Sequence, residues 1–230
     1  MILAVTGGKG GVGKSTVAYN LGAALGAVVV DADLGMADLP TSPGPDLHDV
    51  LAGRADPLEA VRSMGADEGS SSFGVLPCGR SLAGARAADV TALATVLEQV
   101  EREFGAVVVD CPAGMRADAG VPLAVADCAV LVASPRPFAL ADAVRTRALA
   151  RELDTALVGV VVNRVVDELS TETVETVAET LGAPVTTIPA DPRVAVSIAE
   201  HSPLVDAAAS SRAAEGITQL VAAVRSYQSR

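Results

Sequence analysis

The chain has no tryptophan, two tyrosines and three phenylalanines in 230 residues, so aromatic stacking cannot build its core. Half of the residues are apolar, mostly Ala, Val and Leu, and small aliphatic groups must fill the interior instead. Lysine is almost missing: it occurs at positions 9 and 14, and every other basic residue is arginine. Three scattered cysteines, Cys78, Cys111 and Cys128, form no C-x-x-C and read as reduced, buried thiols. His48 and His201 have no clustered ligand partners and are expected on the surface or in loops. No apolar run reaches the roughly 18 residues of a membrane span, and the N-terminus enters a strand directly, so neither a transmembrane helix nor a signal peptide is expected. The chain is therefore placed in the cytoplasm. A net charge of −11 and a pI near 4.6 argue against a broad DNA footprint. Arg193, Arg212, Arg225 and Arg230 are a thin candidate patch. Excess carboxylate with scarce lysine fits either a salt-adapted, halophilic cytoplasm or a high-GC genome.

What is present gathers near the start. An apolar run at 2–5 leads into Gly8-Lys9-Gly10-Gly11-Val12-Gly13-Lys14-Ser15-Thr16, and an apolar-periodic segment follows at 17–25. That is strand, glycine loop, helix. It satisfies G-x-x-x-x-G-K-[ST], with Gly8 and Gly13 as the spaced glycines. Such a loop turns its backbone N–H groups into a concavity, and the helix beginning at Lys14 adds free N–H groups and the positive end of its dipole. In this pattern Lys14 reaches the β- and γ-phosphates, the Ser15 hydroxyl ligates Mg²⁺, and Thr16 bonds on the α-phosphate side.

Apolar runs suited to buried strands recur at 27–30, 73–76, 106–109, 128–133, 157–162 and 185–188. Helical spacing is read at 46–52, 57–64, 87–104, 118–127, 139–153, 170–181, from 193, and at 207–227. Residues 65–72 read as a polar, mobile surface turn. Strand and helix alternate throughout, which predicts one α/β domain over 1–230: a doubly wound, mostly parallel sheet with helices on both faces. Ligands bind at the carboxyl ends of such strands, where residues 9–16, Asp31, Asp33, Asp110, Asn163 and Asp191 all fall.

Lys9 completes K-G-G-x-G-K-[ST], and here the chain resembles the MinD/ParA family of deviant Walker A ATPases, closest to the MinD branch. The resemblance implies that Lys9 crosses a dimer interface to the partner's nucleotide, neutralising charge only when the pair is closed. Val107-Val108-Val109-Asp110 has the Walker B arrangement, with Asp110 holding Mg²⁺ through a coordinated water. Asp110-Cys111-Pro112-Ala113-Gly114 is similar to the D-x-P-A-G switch of that branch, with a cysteine where serine is familiar. Gly114 is then a backbone donor to the γ-phosphate. Asp31-Ala32-Asp33 matches its D-x-D, in which Asp33 positions the attacking water and Asp31 supports the magnesium shell. Asn163-Arg164 matches the adenine-binding N-R pair, and Pro189-Ala190-Asp191 the segment covering the base from the other side. No N-K-x-D occurs, which favours ATP over GTP.

The resemblance implies an ATP-dependent homodimer that hydrolyses ATP to ADP slowly under the control of a protein activator or cargo, positioning division-site or cell-surface machinery. Two alternatives stay open: a ParA-type partitioning ATPase that binds DNA as an ATP dimer, and a nucleotide-loaded adaptor with negligible turnover. One departure concerns the last helix. Ile217, Leu220, Val221 and Val224 read as a face packed on the sheet rather than a basic membrane anchor. Membrane association would then come through a partner. The cysteine spacing does not suit a shared iron–sulfur cluster.

Overall fold

The valine-rich runs become strands because β-branched side chains pack well on a pleated surface buried on both faces. The computed structural model describes residues 1–35, 37–40, 43–65, 71–114 and 117–229, without the side chains of 117, 118, 137, 138, 195, 198 and 199. In chain order the elements are β1 (Ile2–Thr6), α1 (Lys14–Leu25), β2 (Val28–Asp31), α2 (Leu47–Leu51), α3 (Pro57–Ala60), β3 (Arg62–Met64), β4 (Phe73–Leu76) and α4 (Leu82–Ala87). A 3-10 turn (Val90–Ala92) leads into α5 (Leu93–Phe104), β5 (Val107–Asp110), α6 (Ala117–Val125), β6 (Cys128–Ala133), α7 (Pro137–Glu152) and β7 (Ala156–Val165). The chain continues through α8 (Thr171–Leu181), β8 (Val185–Pro189), α9 (Pro192–Ala199), α10 (Leu204–Ala207) and α11 (Arg212–Gln228).

These strands form one eight-stranded sheet in the order β3-β4-β2-β5-β1-β6-β7-β8. Only β3 runs antiparallel to its neighbour. From β1 the chain winds outward to one side, returns to β5, then crosses to β6 and the other side. The direction of winding therefore reverses beside β1, which opens a crevice at the carboxyl ends of the central strands.

Alternate residues of each strand feed opposite faces. Leu3, Val5, Val29 and Val108 pack with α1 and α11, while Ile2, Ala4, Val30 and Val109 pack with α5 and α6. Leu131, Ala133, Val160 and Val162 lie under α7 and α8. Tyr19 and Phe73 meet edge to face, with ring centroids 5.2 Å apart. The rest of the interior is small and aliphatic.

The doubly wound sheet and its principal strands match the sequence reading, and Ser170 caps α8 as expected, accepting from the Thr173 N–H at 3.2 Å. All three cysteines are free and buried. Several boundaries need correction. The helix read over 57–64 stops at Ala60, because the Arg62 guanidinium donates to the carbonyls of Glu59 and Ala60 at 3.1 and 3.0 Å. Residues 62–64 then pair with β4 as an edge strand. The helix read over 87–104 is broken by the Asp89 cap of the 3-10 turn, whose Oδ1 accepts from Thr91 N at 3.0 Å, and α4 precedes it unforeseen. The final helix is two, divided before Ser211, whose hydroxyl caps α11 by accepting from Ala214 N at 3.0 Å. Ile217, Leu220, Val221 and Val224 are buried, as their spacing predicted. Residues 66–70 of the polar turn, and Arg230, lie outside the described residues. Among the described residues no helix is long and apolar enough to cross a membrane.

Candidate functional site

The glycine loop after β1 is held from both sides. A Cβ on Gly8 would come within 2.5 Å of Asp142 Cβ on α7, so the loop lies against that helix backbone. Gly13 has φ +98, and a Cβ there would sit 2.2 Å from Asn163 Nδ2. No L side chain suits both the conformation and the contact. The next residue, Lys14, opens α1 without a side-chain cap, so the helix's first N–H groups face the crevice unclaimed. Lys14 is buried, Ser15 and Thr16 half-buried, and Lys9 is exposed at the lip. Lys9 forms no ion pair with a carboxylate among the described residues.

Beneath the loop, Asp31 and Asp110 end neighbouring strands as register partners. Their surroundings differ. Asp31 Oδ1 accepts from Asp33 N at 3.2 Å and its Oδ2 from Leu39 N at 3.4 Å, so it ties both ends of the loop that follows β2. Asp110 is 1% exposed, and among the described residues neither of its oxygens is in a well-formed hydrogen bond, the Ser15 hydroxyl standing near without seating on either. Burial pushes the Asp110 carboxyl up to about 7, while the Ser15 hydroxyl and the Lys14 ammonium pull it back. Burial, then the charge of Asp110, pushes Asp31 up to about 8. Buried polar groups without partners are rare in native proteins. Two unspent carboxylate oxygens beside a serine hydroxyl fit a hard, oxygen-seeking divalent cation such as Mg²⁺.

Three cavities surround the loop. One of about 320 Å³ is lined by Gly10, Gly11, Gly13, Lys14, Ser15, Thr16, Asp33, Asp38 and Ala113 among others. A larger one of about 730 Å³ is lined by Thr16, Asn163, Pro189, Ala190, Asp191 and neighbours. The third, about 370 Å³, takes in Lys9, Val12, Ser134 and Arg136. Arg164 borders all three. It does so because it sits in a β-bulge: the β7–β8 register shifts between Asn163 and Val165, and Arg164 has φ +61. The bulge keeps Asn163 and Val165 buried and turns Arg164 out over the crevice. The sequence reading set Asn163-Arg164 after the strand; they lie within β7, at the bulge.

Asn163 Nδ2 donates to the Val12 carbonyl at 2.9 Å, and its Oδ1 accepts from Arg164 N at 2.9 Å. The amide thus braces the glycine loop, and it keeps a second N–H and a second lone pair toward the larger cavity. Asp191 is bound by the guanidinium of Arg193, with Nη2 2.7 Å from Oδ2, and borders the larger cavity together with Pro189 and Ala190. Asp33 Oδ1 accepts from Gly35 N at 3.4 Å and borders the cavity that Lys14 also borders. Gly114 follows in the segment after β5 with φ +102. The structure therefore gathers Lys14, Ser15, Thr16, Asp33 and Arg164 around one space, over Asp31 and Asp110. Lys9 opens onto a different one.

Asp38 and Arg136, which the sequence reading passed over, border these cavities. Asp38 had a signal, being a third carboxylate within eight residues of Asp31; Arg136 had none. His48 was expected at the surface, yet it is 2% exposed. It lies between α2, the turn after β2 and the segment after β4.

A family model described as the CobQ/CobB/MinD/ParA nucleotide-binding domain matches residues 3–204. An uncharacterized ATP-binding protein of Methanocaldococcus jannaschii is 34% identical over 231 residues, covering 96% of this chain and 86% of that protein. The cell division ATPase MinD of Pyrococcus furiosus has a similar structure, with a TM-score of 0.87, 29% identity and 98% of each chain covered. The septum site-determining protein MinD of Pyrococcus horikoshii, solved with Mg-ADP, matches with a TM-score of 0.84 and 27% identity over 95% of this chain and 93% of that one.

Proposed function

The chain belongs to the CobQ/CobB/MinD/ParA nucleotide-binding family, and from that premise we propose that it is a MinD-type switch ATPase. It binds ATP with Mg²⁺, dimerises around the nucleotide, and hydrolyses it slowly under the control of a partner protein. The output is the placement of division-site or cell-surface machinery. The single observation that carries the nucleotide chemistry is Asp110, buried beside Lys14 and Ser15 with no well-formed hydrogen bond among the described residues.

In this reading the free N–H groups of the loop and of α1 bind the β- and γ-phosphates, and Lys14 adds a point charge. Ser15 and Asp110 would hold Mg²⁺, and the ion would supply positive charge at the phosphates. Asp31 fixes the loop that carries Asp33 and, beside Asp110, would support the Mg²⁺ site. Asp33 orients the attacking water. Gly114 gives a backbone N–H that senses the γ-phosphate. Adenine lies in the larger cavity, met by the free valences of Asn163, the Arg164 plane, and the Pro189-Ala190-Asp191 segment. Lys9 reaches the nucleotide of a second copy, and its exposed position at the lip, without an ion pair to a carboxylate among the described residues, suits that task. Turnover is slow because positioning and charge neutralisation carry the catalysis, and both await closure of the pair.

DNA is the less supported surface. Of the four arginines in the candidate patch, Arg193 is paired with Asp191 at 2.7 Å and Arg212 with Glu168 at 3.6 Å. Arg225 donates to the Ala24 carbonyl. The buried apolar face of α11 likewise leaves membrane contact to a partner or to the activator.

Sedimentation of an Asp33→Ala variant with ATP and Mg²⁺ tests the proposal. A dimer at micromolar protein is expected, reverting to monomer on adding Lys9→Ala. A strict monomer with bound ATP would leave a nucleotide-loaded adaptor. Retention of the ATP form on DNA would replace this reading with partitioning.

A further inference from the structure

His48 sits on α2, a helix of five residues, away from the cavities that border the glycine loop. Its ring is nonetheless buried and tightly boxed. Nε2 lies 3.1 Å from the Leu34 carbonyl and 3.4 Å from Cys78 Sγ. A Cβ on Gly79 would come within 2.4 Å of Nδ1, and one on Gly84 within 2.7 Å. Two glycines from the far side of the ring therefore make room for an imidazole, one after β4 and one in α4.

The chemistry of the ring follows from its neighbours. A carbonyl only accepts, so Nε2 carries the proton and donates to Leu34 O. Nδ1 is left buried with no hydrogen-bond partner among the described residues. An orphaned nitrogen costs free energy, and an apolar side chain of similar volume would fill the slot without it. What the imidazole gains must come from Nε2, and Nε2 holds the residue after Asp33. Leu34 also donates its own N–H to the Ala32 carbonyl at 3.0 Å. The turn Ala32–Leu34 is thus tied at its base by its own backbone and at its tip by His48.

We propose that His48 is a positioning residue for Asp33: its Nε2–H pins the Leu34 carbonyl and so fixes the direction in which the Asp33 carboxylate enters the cavity shared with Lys14. The inference rests on the reading of Asp33 as the group that orients water. His48 lines none of the three cavities around the glycine loop. It joins the acidic loop to α2, to α4 and to the segment after β4, so displacement of those elements is felt at Asp33.

Two substitutions separate donor from volume. His48→Leu keeps the bulk and removes the donor, while His48→Gln returns an amide N–H near the Nε2 position. With the full chain, ATP and Mg²⁺, His48→Leu is expected to lower kcat by about tenfold and leave KM within about twofold, since misplacement of a positioning group acts on the chemical step. His48→Gln is expected to recover kcat to within about threefold of the parent. A folded His48→Leu protein with unchanged kcat overturns the proposal, as does a Gln variant no better than Leu, or equal proportional changes in kcat and KM. If His48→Leu does not fold, Gly84→Ala takes its place: its methyl pushes the ring from the Nδ1 side and leaves the donor intact. The same kcat-specific loss is expected, and normal turnover overturns the proposal. Deuterium uptake at the amides of 33–35 in nucleotide-free protein gives a readout independent of hydrolysis. Faster uptake in the Leu variant but not in the Gln variant supports the tie; equal uptake in all three proteins refutes it. A parent protein without ATPase activity would refute the ATPase reading while leaving the exchange result to decide on His48.

Discussion

The ends of β2 and β5 lie side by side, with Asp31 and Asp110 in register and both excluded from water. One carboxylate has given its oxygens to the backbone of the loop it starts; the other, beside Ser15 and Lys14, has no well-formed hydrogen bond among the described residues. Identical chemistry at equivalent strand ends thus serves two purposes. Asp31 is a tie, satisfied when the chain folds. Asp110 is left unspent by the described backbone, and in the proposed function it is the carboxylate that serves the cation. Position at a strand terminus does not separate these two roles, but hydrogen-bond accounting does.

The sharpest way to break that contrast is to remove each carboxylate in turn. Asp110→Ala is expected to lower Mg²⁺-dependent ATP hydrolysis by about 100-fold or more, measured as phosphate release, because the proposed function makes Asp110 a holder of the metal. The same site should respond oppositely in stability: Asp110→Asn removes a buried, unpaired charge, so the nucleotide-free protein should melt at a higher temperature at pH 8. Asp31→Ala should do the reverse. It strands the N–H groups of Asp33 and Leu39, and denaturant unfolding should show a loss of about 1–3 kcal/mol.

Titration sharpens the comparison further. Both carboxyls are raised in the folded state, to about 8 for Asp31 and about 7 for Asp110, against an unfolded value near 3.9. Between those limits the folded chain holds more protons than the unfolded one, so the stability contributed by these groups falls as pH rises. Nucleotide-free protein should therefore gain stability from pH 8 toward pH 5 through this pair. Asp110→Asn should flatten that slope, and so should saturating Mg²⁺ and nucleotide. The smallest effect is expected across the crevice. Asn163→Ala frees the Val12 carbonyl at a cost of about 1 kcal/mol, and should also narrow the preference for ATP over GTP in competition binding.

Much of this was legible in the chain. Gly8 to Thr16 declared the glycine loop because the needed residue types are consecutive. The apolar runs before Asp31 and Asp110 declared central strands, and the spacing of Ile217, Leu220, Val221 and Val224 declared a face packed on the sheet. β3 was hidden, since three residues carry no period and their strand character comes from pairing with β4. His48 was misread because its burial depends on glycines 31 and 36 positions further along. The bulge at Arg164 was hidden for a similar reason: Asn163 must reach Val12 while Val165 stays in the sheet, and the extra residue between them is displaced outward.

By itself the sequence determined the local devices: a glycine loop between strand and helix, the strands that end in acid, and the alternation of strand and helix that stacks them into a parallel sheet. Each depends on neighbours a few positions apart, where backbone geometry and side-chain period suffice. Tertiary structure alone decided which buried carboxylate is spent and which is left unspent, that one amide braces the loop from the opposite side of the crevice, and that an imidazole stands behind the acidic turn. Those outcomes are set by which donors meet which acceptors, and the partners are brought together only when distant segments pack.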